Sequence, residues 1–377
     1  MPAFYAALHP YLTSSGIMFF LCCIPYPPYH LPCPPAPHAY RKFIMTINHT
    51  VRLINRPIGE PKRSDFAFAD EQLPALLEGQ MLVKNLYLSL DPAMRGWMNE
   101  GKSYIEPVKL GDVMRAGGIS EVIESNNGRF QVGDNISGMA NVQTYVVTDG
   151  KGWVKVDPAL APLTTYLNVL GMTGMTGYFG LLESGQPKSG ETVVVSGAAG
   201  AVGATVGQVA KIKGCRVVGI AGGAEKCKLA VEKYGYDACI DYKNEDVKVG
   251  LKRECPDGID VYFDNVGGEI LDIVLTRINL RARIVICGAI SQYNNTTPVK
   301  GPSNYLSLLV NRARMEGIVV FDYAPKYKEG AAAMAEWIRD GKMVSVEHVE
   351  TGIDRFPEVL MKLFKGENFG KLVLKVG

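Results

Sequence analysis

The chain has 377 residues, 47% of them hydrophobic and 21% charged, and a net charge of +2. This is the composition of a globular protein with room for two domains and a large buried core. It gives no electrostatic case for nucleic acid or an anionic membrane as a partner.

Residues 1–44 read differently from the rest. They hold nine prolines and no acidic residue, and the apolar run at 16–24 is too short to span a bilayer. No basic n-region or small-residue cleavage site marks a secretory signal. The composition predicts a disordered Pro-rich extension over 1–44, with Met45 as the natural start of the fold. A targeting role for this segment is the less favoured reading. The cysteines (Cys22, Cys23, Cys33, Cys215, Cys227, Cys239, Cys255, Cys287) form no CxxC pair, and the five histidines are scattered. This predicts reduced thiols, a cytoplasmic location and no zinc site.

From Thr46 to about Leu160 the pattern is short strands and turns. Val51–Ile54, Gly79–Lys84 and Val113–Ile123 alternate or run apolar, with breaks at Gly117-Gly118, Asn127-Gly128 and Gly133-Asp134. This predicts an all-β, partly barrel-like module. The period turns helical between Leu163 and Gly190. Strands are then predicted at 192–196, 216–221, 238–242, 259–264, 283–287 and 317–321, and helices at 201–213, 225–234, 244–254, 268–278 and 304–313. Such alternation makes an α/β unit with a doubly wound parallel sheet covered on both faces. One more helix is expected within 324–341. Val344–Val376 returns to short strands around a helix at 355–364 and is expected to rejoin the first module. The predicted division is therefore 45–165 completed by 342–377, with 166–341 between.

The stretch Val193–Gly203, VVVSGAAGAVG, is a strand, a glycine turn and a helix start. That geometry places a pyrophosphate on free backbone N–H groups and on the positive end of a helix dipole. A strict GxGxxG would need glycine at 198; Ala198 stands there, so the strand before and the small-faced helix after supply the context. An NAD site usually has an acid at the end of the second strand, about 20 residues on. Gly219-Ile220-Ala221-Gly222-Gly223 has none, and Lys226 follows. The missing carboxylate and the nearby ammonium suit a 2′-phosphate, so NADP is predicted over NAD.

Several further segments carry a family resemblance. The β module, the AAGAVG turn, Lys226, Ile240-Asp241-Tyr242-Lys243, Phe263 to Gly268 and Cys287 to Asn294 together resemble the zinc-free medium-chain dehydrogenase/reductases. The branch they are most similar to is the NADP-dependent alkenal, leukotriene B4 12-hydroxydehydrogenase and prostaglandin reductase group. Leu90–Gly96 and Leu170–Tyr178 are similar to its other signatures, and the likeness spans Thr46 to Val376.

The resemblance implies a GroES-like β-rich catalytic domain built from both chain ends around a Rossmann domain. It implies hydride transfer from NADPH to the β-carbon of an α,β-unsaturated aldehyde or ketone, and it leaves a homodimer open. By that likeness Ala199, Gly200, Ala201 and Val202 face the pyrophosphate, and Lys226 and Tyr242 hold the 2′-phosphate. Asn265 approaches the ribose and nicotinamide side. Cys287, Ser291 and Tyr293 line the nicotinamide ribose, Ile318 and Val320 give backbone contacts to the carboxamide, and Asn368 closes the cleft. Relatives often carry aromatic residues near Ser137–Ala140. The smaller Gly138 and Met139 would leave a wider or differently shaped acyl pocket, so prostaglandin or leukotriene specificity does not carry over.

Conjugate reduction needs a donor for the oxyanion that develops on the carbonyl oxygen. Tyr293 is the expected donor, since a phenol is protonated at neutral pH. Tyr87 and Tyr104 are expected as pocket walls, with core packing the alternative. Met172 and Thr176 stand between a nicotinamide contact and helix packing. Asp91 and Arg95 either shape the cleft floor or form a structural ion pair in a turn. Cys287, with no histidine nearby, reads as a backbone contact rather than a nucleophile. An NADPH quinone reductase and a non-catalytic NADP-binding sensor are the alternative functions.

Overall fold

The computed structural model describes residues 46–377; the expected Pro-rich extension lies outside the described residues. The chain begins with β1 (Ile47–Leu53), β2 (Phe66–Gln72) and β3 (Met81–Ser89), then α1 (Ala93–Trp97). β4 (Gly117–Ser125), β5 (Asn135–Met139), β6 (Tyr145–Thr148), β7 (Val154–Lys155) and α2 (Met172–Phe179) follow. Next come β8 (Thr192–Ser196), α3 (Ala201–Ile212), β9 (Arg216–Ala221), α4 (Ala224–Glu232), β10 (Ala238–Asp241), α5 (Val247–Glu254) and β11 (Ile259–Asp264). The series ends with α6 (Gly268–Leu275), β12 (Ile278–Ile286), α7 (Leu306–Val310), β13 (Arg314–Gly317), α8 (Tyr327–Arg339), β14 (Glu347–Thr351), α9 (Phe356–Lys365) and β15 (Lys371–Lys375).

Two main sheets result. One is six-stranded and parallel, in the order β10-β9-β8-β11-β12-β13. The valines of β8 explain it. Val193 and Val195 enter one hydrophobic cluster, with Val217 and Phe263, while Val194 enters another, with Val218 and Tyr262. Successive side chains point to opposite faces, so both faces are covered, as a parallel sheet requires. Each fully buried valine contributes about 1.5–3 kcal/mol of transfer free energy. Gly207 lets α3 sit close, because a Cβ there would lie 2.1 Å from the Tyr236 ring; the Tyr236 hydroxyl donates to Gly203 O at 2.7 Å.

The second sheet runs β14-β15-β3-β4-β5-β7, with β6 also on β3, and apart from the parallel β14–β15 pair it is antiparallel. The C-terminal strands therefore enter a sheet begun near residue 81. Its core gathers Met81, Val83, Leu88, Phe356, Leu360 and Leu374, all without solvent exposure.

The predicted strand at 317–321 is not formed. β13 ends at Gly317, and 320–326 is a 3-10 helix. The strand is instead the charged stretch Arg314–Gly317 at the sheet edge, where one side faces water. The apolar run that follows leaves the sheet and turns Ile318 into the core beside Phe263 and Phe179.

Candidate active site at the junction of the two sheets

Strand order reverses between β8 and β11, so the switch point lies beyond Ser196 and Asp264, the place at which open α/β sheets bind nucleotides. The turn after β8 depends on its glycines. Gly197 has φ +63°, and a Cβ at Gly203 would lie 2.3 Å from Gly197 O. Gly200 caps α3 without a side-chain hydrogen bond. The N–H groups of the first helical turn, including those of Ala201 and Val202, are thus left to an outside acceptor. The other lobe meets this turn. Gly370 N–H donates to Ala199 O at 3.0 Å, and Asn368 Nδ2 donates to Gly370 O at 2.9 Å. Gly370 sits at φ +60°, with Val346 O 2.2 Å from where a Cβ would be.

At the end of β9, Gly222 lies under Tyr242, whose hydroxyl would be 2.6 Å from an added Cβ. Lys226, in the first turn of α4, forms no ion pair among the described residues and lies 5.8 Å over the Phe369 ring. Burial, and then the nearby Lys243 charge, pull its ammonium below the ordinary value. The acid at the end of β10, Asp241, is already engaged. Its carboxylate accepts from Gly223 N–H at 2.7 Å, Lys243 N–H at 3.1 Å and Asn244 Nδ2 at 2.7 Å. Two neighbouring cations, with Asp241 engaged and Glu225 the remaining acid of this helix turn, exposed beside Lys226, fit a phosphate on the ribose rather than a bare hydroxyl.

Asp264 is the group that sequence reasoning missed. Fully buried, it accepts on Oδ1 from Ser196 Oγ (2.9 Å), Tyr262 Oη (2.8 Å), Val266 N–H (3.0 Å) and Gly267 N–H (2.9 Å). It ties the ends of β8 and β11 together; the available signal was one acid ending an apolar strand. Asn265 completes the tie, donating Nδ2 to Ser196 O at 2.8 Å.

Beyond β12, the Cys287 and Gly288 N–H groups donate to Asp264 O at 2.9 and 3.1 Å. Burial first, and then the Asp264 charge, push the Cys287 thiol up to about 12, which makes it an inert backbone position. Ser291 donates its hydroxyl to Val266 O at 2.6 Å. Tyr293 accepts from Ala289 N–H at 3.2 Å. Burial, more than the neighbouring Cys287, Tyr104 and Asp264 charges, holds its pKa above the ordinary phenol value against that hydrogen bond. Ile318 N–H donates to Ile286 O at 3.1 Å, and Val320 O accepts from the Tyr327 hydroxyl at 2.9 Å.

The structure thus brings Asn265, Cys287, Ser291, Tyr293 and Ile318 to the ends of β11 and β12. Tyr104 joins them from the other lobe, 56% exposed with its ring 6.2 Å from Phe321. Tyr87 is elsewhere, packed with Ile119, Val156 and Val373. Gly138 opens no space, because a Cβ there would lie 2.3 Å from Trp153 Cδ2 and the buried indole fills the gap. Met139 is an exposed strand end. Thr176 bonds back to Met172 O at 2.8 Å within its own helix. The Asp91–Arg95 ion pair is absent. Asp91 pairs with buried Lys371 at 2.6 Å, while Arg95 bonds only uncharged oxygens.

Among the described residues no three His, Cys, Asp or Glu side chains converge as metal ligands, and no helix is long and apolar enough to cross a membrane.

Comparison with known proteins agrees with this geometry. A family described as the N-terminal domain of oxidoreductase matches residues 49–156, and one described as zinc-binding dehydrogenase matches 201–337. The chain is 43% identical over 329 residues to the NADPH-dependent curcumin reductase of Escherichia coli (strain K12), spanning 86% of this chain and 95% of the relative. It is 44% identical over 336 residues to the 2-alkenal reductase (NADP(+)-dependent) of Nicotiana tabacum, spanning 87% and 97%. The crystal structure of CurA in complex with NADPH from Vibrio vulnificus is similar with a TM-score of 0.83 and 42% identity, covering 87% of this chain and 99% of that one. A doubly wound sheet with a phosphate turn, joined to a β-rich lobe, defines an NADP(H)-dependent oxidoreductase. The chain belongs to the zinc-independent medium-chain dehydrogenase/reductase family.

Proposed function

We propose that the protein reduces the carbon–carbon double bond of α,β-unsaturated aldehydes and ketones, with NADPH as reductant. Bound NADPH supplies the hydride for the β-carbon. In this reading the turn Ala199–Val202 holds the pyrophosphate at the positive end of α3. Lys226 and Tyr242 take the 2′-phosphate. Asn265, Cys287, Ser291, Ile318, Val320 and Asn368 line the nicotinamide half and close the cleft. Tyr293 donates its proton in a hydrogen bond to the carbonyl oxygen as negative charge builds there.

The observation that carries this reading is the Tyr293 hydroxyl. Its oxygen accepts from Ala289 N–H, and among the described residues its own proton has no acceptor. A neutral phenol fixed by one hydrogen bond, with a free donor, is what an oxyanion site requires. Tyr104, with Phe321 beside its ring, would form a substrate wall in this reading.

The test is loss of NADPH absorbance with 2-hexenal, a cyclic enone and a quinone. The enal and enone are expected to turn over, and Tyr293→Phe is expected to lower kcat by roughly ten- to a thousandfold. Unchanged turnover in that variant removes the role. Consumption with the quinone alone makes the protein a quinone reductase, and tight NADPH binding without oxidation makes it a sensor.

We further place the protein in the cytoplasm, where the free Cys215, Cys227, Cys239, Cys255 and Cys287 would stay reduced. A homodimer is supported by the open edge of β13 and by exposed Leu306, Leu309 and Val310 on the adjoining α7. A monomer mass in light scattering would exclude it.

A further inference from the structure

Arg95 is 4% exposed, yet no carboxylate lies within ion-pair distance of it among the described residues. Its guanidinium donates from Nη2 to Pro57 O (3.0 Å), from Nη1 to Asn99 Oδ1 (2.5 Å), and from Nε to Gly59 O (3.0 Å) and Asn294 Oδ1 (3.1 Å). Burial lowers its pKa, and Asp65 opposes this only through space. Taking a charge out of water costs several kcal/mol before its hydrogen bonds are counted. Three of the four acceptors belong to Arg95's own lobe. The fourth, Asn294, is across the junction and is the covalent neighbour of Tyr293.

On its own side the tyrosine segment is tied to the end of β11 as far as Ser291; beyond that it has local bonds, Gln292 N–H to Ala289 O at 2.8 Å and Ala289 N–H to the Tyr293 hydroxyl at 3.2 Å. Ile290 N–H donates to Asn265 O at 3.2 Å, and Ser291 N–H and Oγ both donate to Val266 O. After the short 3-10 turn at Ile290–Gln292, no helix or strand begins until α7. What meets the chain just past Tyr293 is the other lobe, through Arg95 and through Gly59. A Cβ at Gly59 would lie 3.5 Å from Thr296 Cγ2 and 3.8 Å from Asn294 O.

We infer that Arg95 is a positioning residue for Tyr293. Through Asn294 its guanidinium clamps the tyrosine segment to the antiparallel lobe, so the aim of the phenol, already tied to Ala289 N–H, is completed by the docking of the two lobes. The inference rests on the reading of Tyr293 as the oxyanion donor. A charged fork is suited to this task because its donors are rigidly spaced and bind two separate stretches of chain at once.

The test is a double-mutant cycle on the full chain with NADPH and 2-hexenal, using Asn294→Ala, Tyr293→Phe and the pair. Asn294→Ala is expected to lower kcat about tenfold, with the NADPH dissociation constant changed by less than about twofold. In the Tyr293→Phe background the same substitution is expected to cost nothing further. Arg95→Met should follow the same pattern with a larger loss. Should it fail to fold, Asn294→Ala carries the test, because it leaves Arg95 its other acceptors. An undiminished loss in the Tyr293→Phe background, or full turnover in Asn294→Ala, overturns the positioning role alone. Full turnover in Tyr293→Phe overturns the Tyr293 reading and this inference with it.

Discussion

The β8–α3 side of the candidate site is mostly main chain: Gly197 at φ +63°, the uncapped start of α3, and Gly370 against Ala199 O. The antiparallel lobe and its meeting with the parallel one rest on side chains brought from distant parts of the chain: Arg95 on Asn294, Tyr104 on Phe321, and, within the lobe, Lys371 on Asp91. The first side tolerates change in side chains that point away but not a Cβ that blocks the turn. The second depends on individual side chains, each with a defined partner. A binding site made of backbone is robust in its ligand class. A junction made of side chains is where aim and stability are set together.

That contrast can be broken first at Lys371, whose side chain is 2% exposed. Lys371→Met strands Asp91 beside an apolar chain and is expected to cost about 3 kcal/mol in urea unfolding, the low end for a broken buried pair because Asp91 keeps some contact with water. A cost below about 1 kcal/mol would mean that this pair is not holding β15 to the C-terminal end of β3. The coenzyme side should respond in binding alone. Lys226→Ala is expected to weaken NADPH by about ten- to a hundredfold, leaving NADH and the urea midpoint as they were. An equal loss for both coenzymes would assign the 2′-phosphate to another group.

The smallest expected effect is at His49, whose ring lies between Asp70 (2.6 Å) and Asp354 (2.7 Å). Burial lowers its pKa, but the hydrogen bonds to the two carboxylates outweigh this and the net shift is upward from 6.5. The folded state therefore holds the proton more tightly than the unfolded chain. This stabilisation is complete below the ordinary imidazole value and is lost as pH rises through the folded one. The urea midpoint should fall as pH rises above about 6.5, and the fall should shrink in His49→Asn. An identical slope in the variant would leave the bridge without energetic weight.

The parallel lobe was legible because its signals are local. β8, β9 and β11 occupy the residues that the apolar runs indicated, and α3 starts where the glycine spacing put it. The coenzyme class was legible for the same reason, since a missing acid and a present lysine fall within one strand–turn–helix unit. The junction was not. Asp91 finds Lys371 280 residues away, and no periodicity announces such a pair. Gly138 was read as space when it is clearance for Trp153, because a sequence shows a missing side chain but not the neighbour that fills the gap. The strand expected at 317–321 was displaced because an edge strand can be charged, and apolar runs mark burial rather than hydrogen bonding.

β15 lies between β14 and β3, pairing Val373 with Ser89, and Gly370 just before it rests on the Ala199 turn. During synthesis the early hairpins must therefore wait for almost the whole described chain to leave the ribosome before their sheet gains this strand. The nucleotide cleft gains its last wall in the same step. A nascent chain stalled short of residue 370 would carry the β8–α3 turn without Gly370 against it, so this side of the candidate site is assembled late in synthesis.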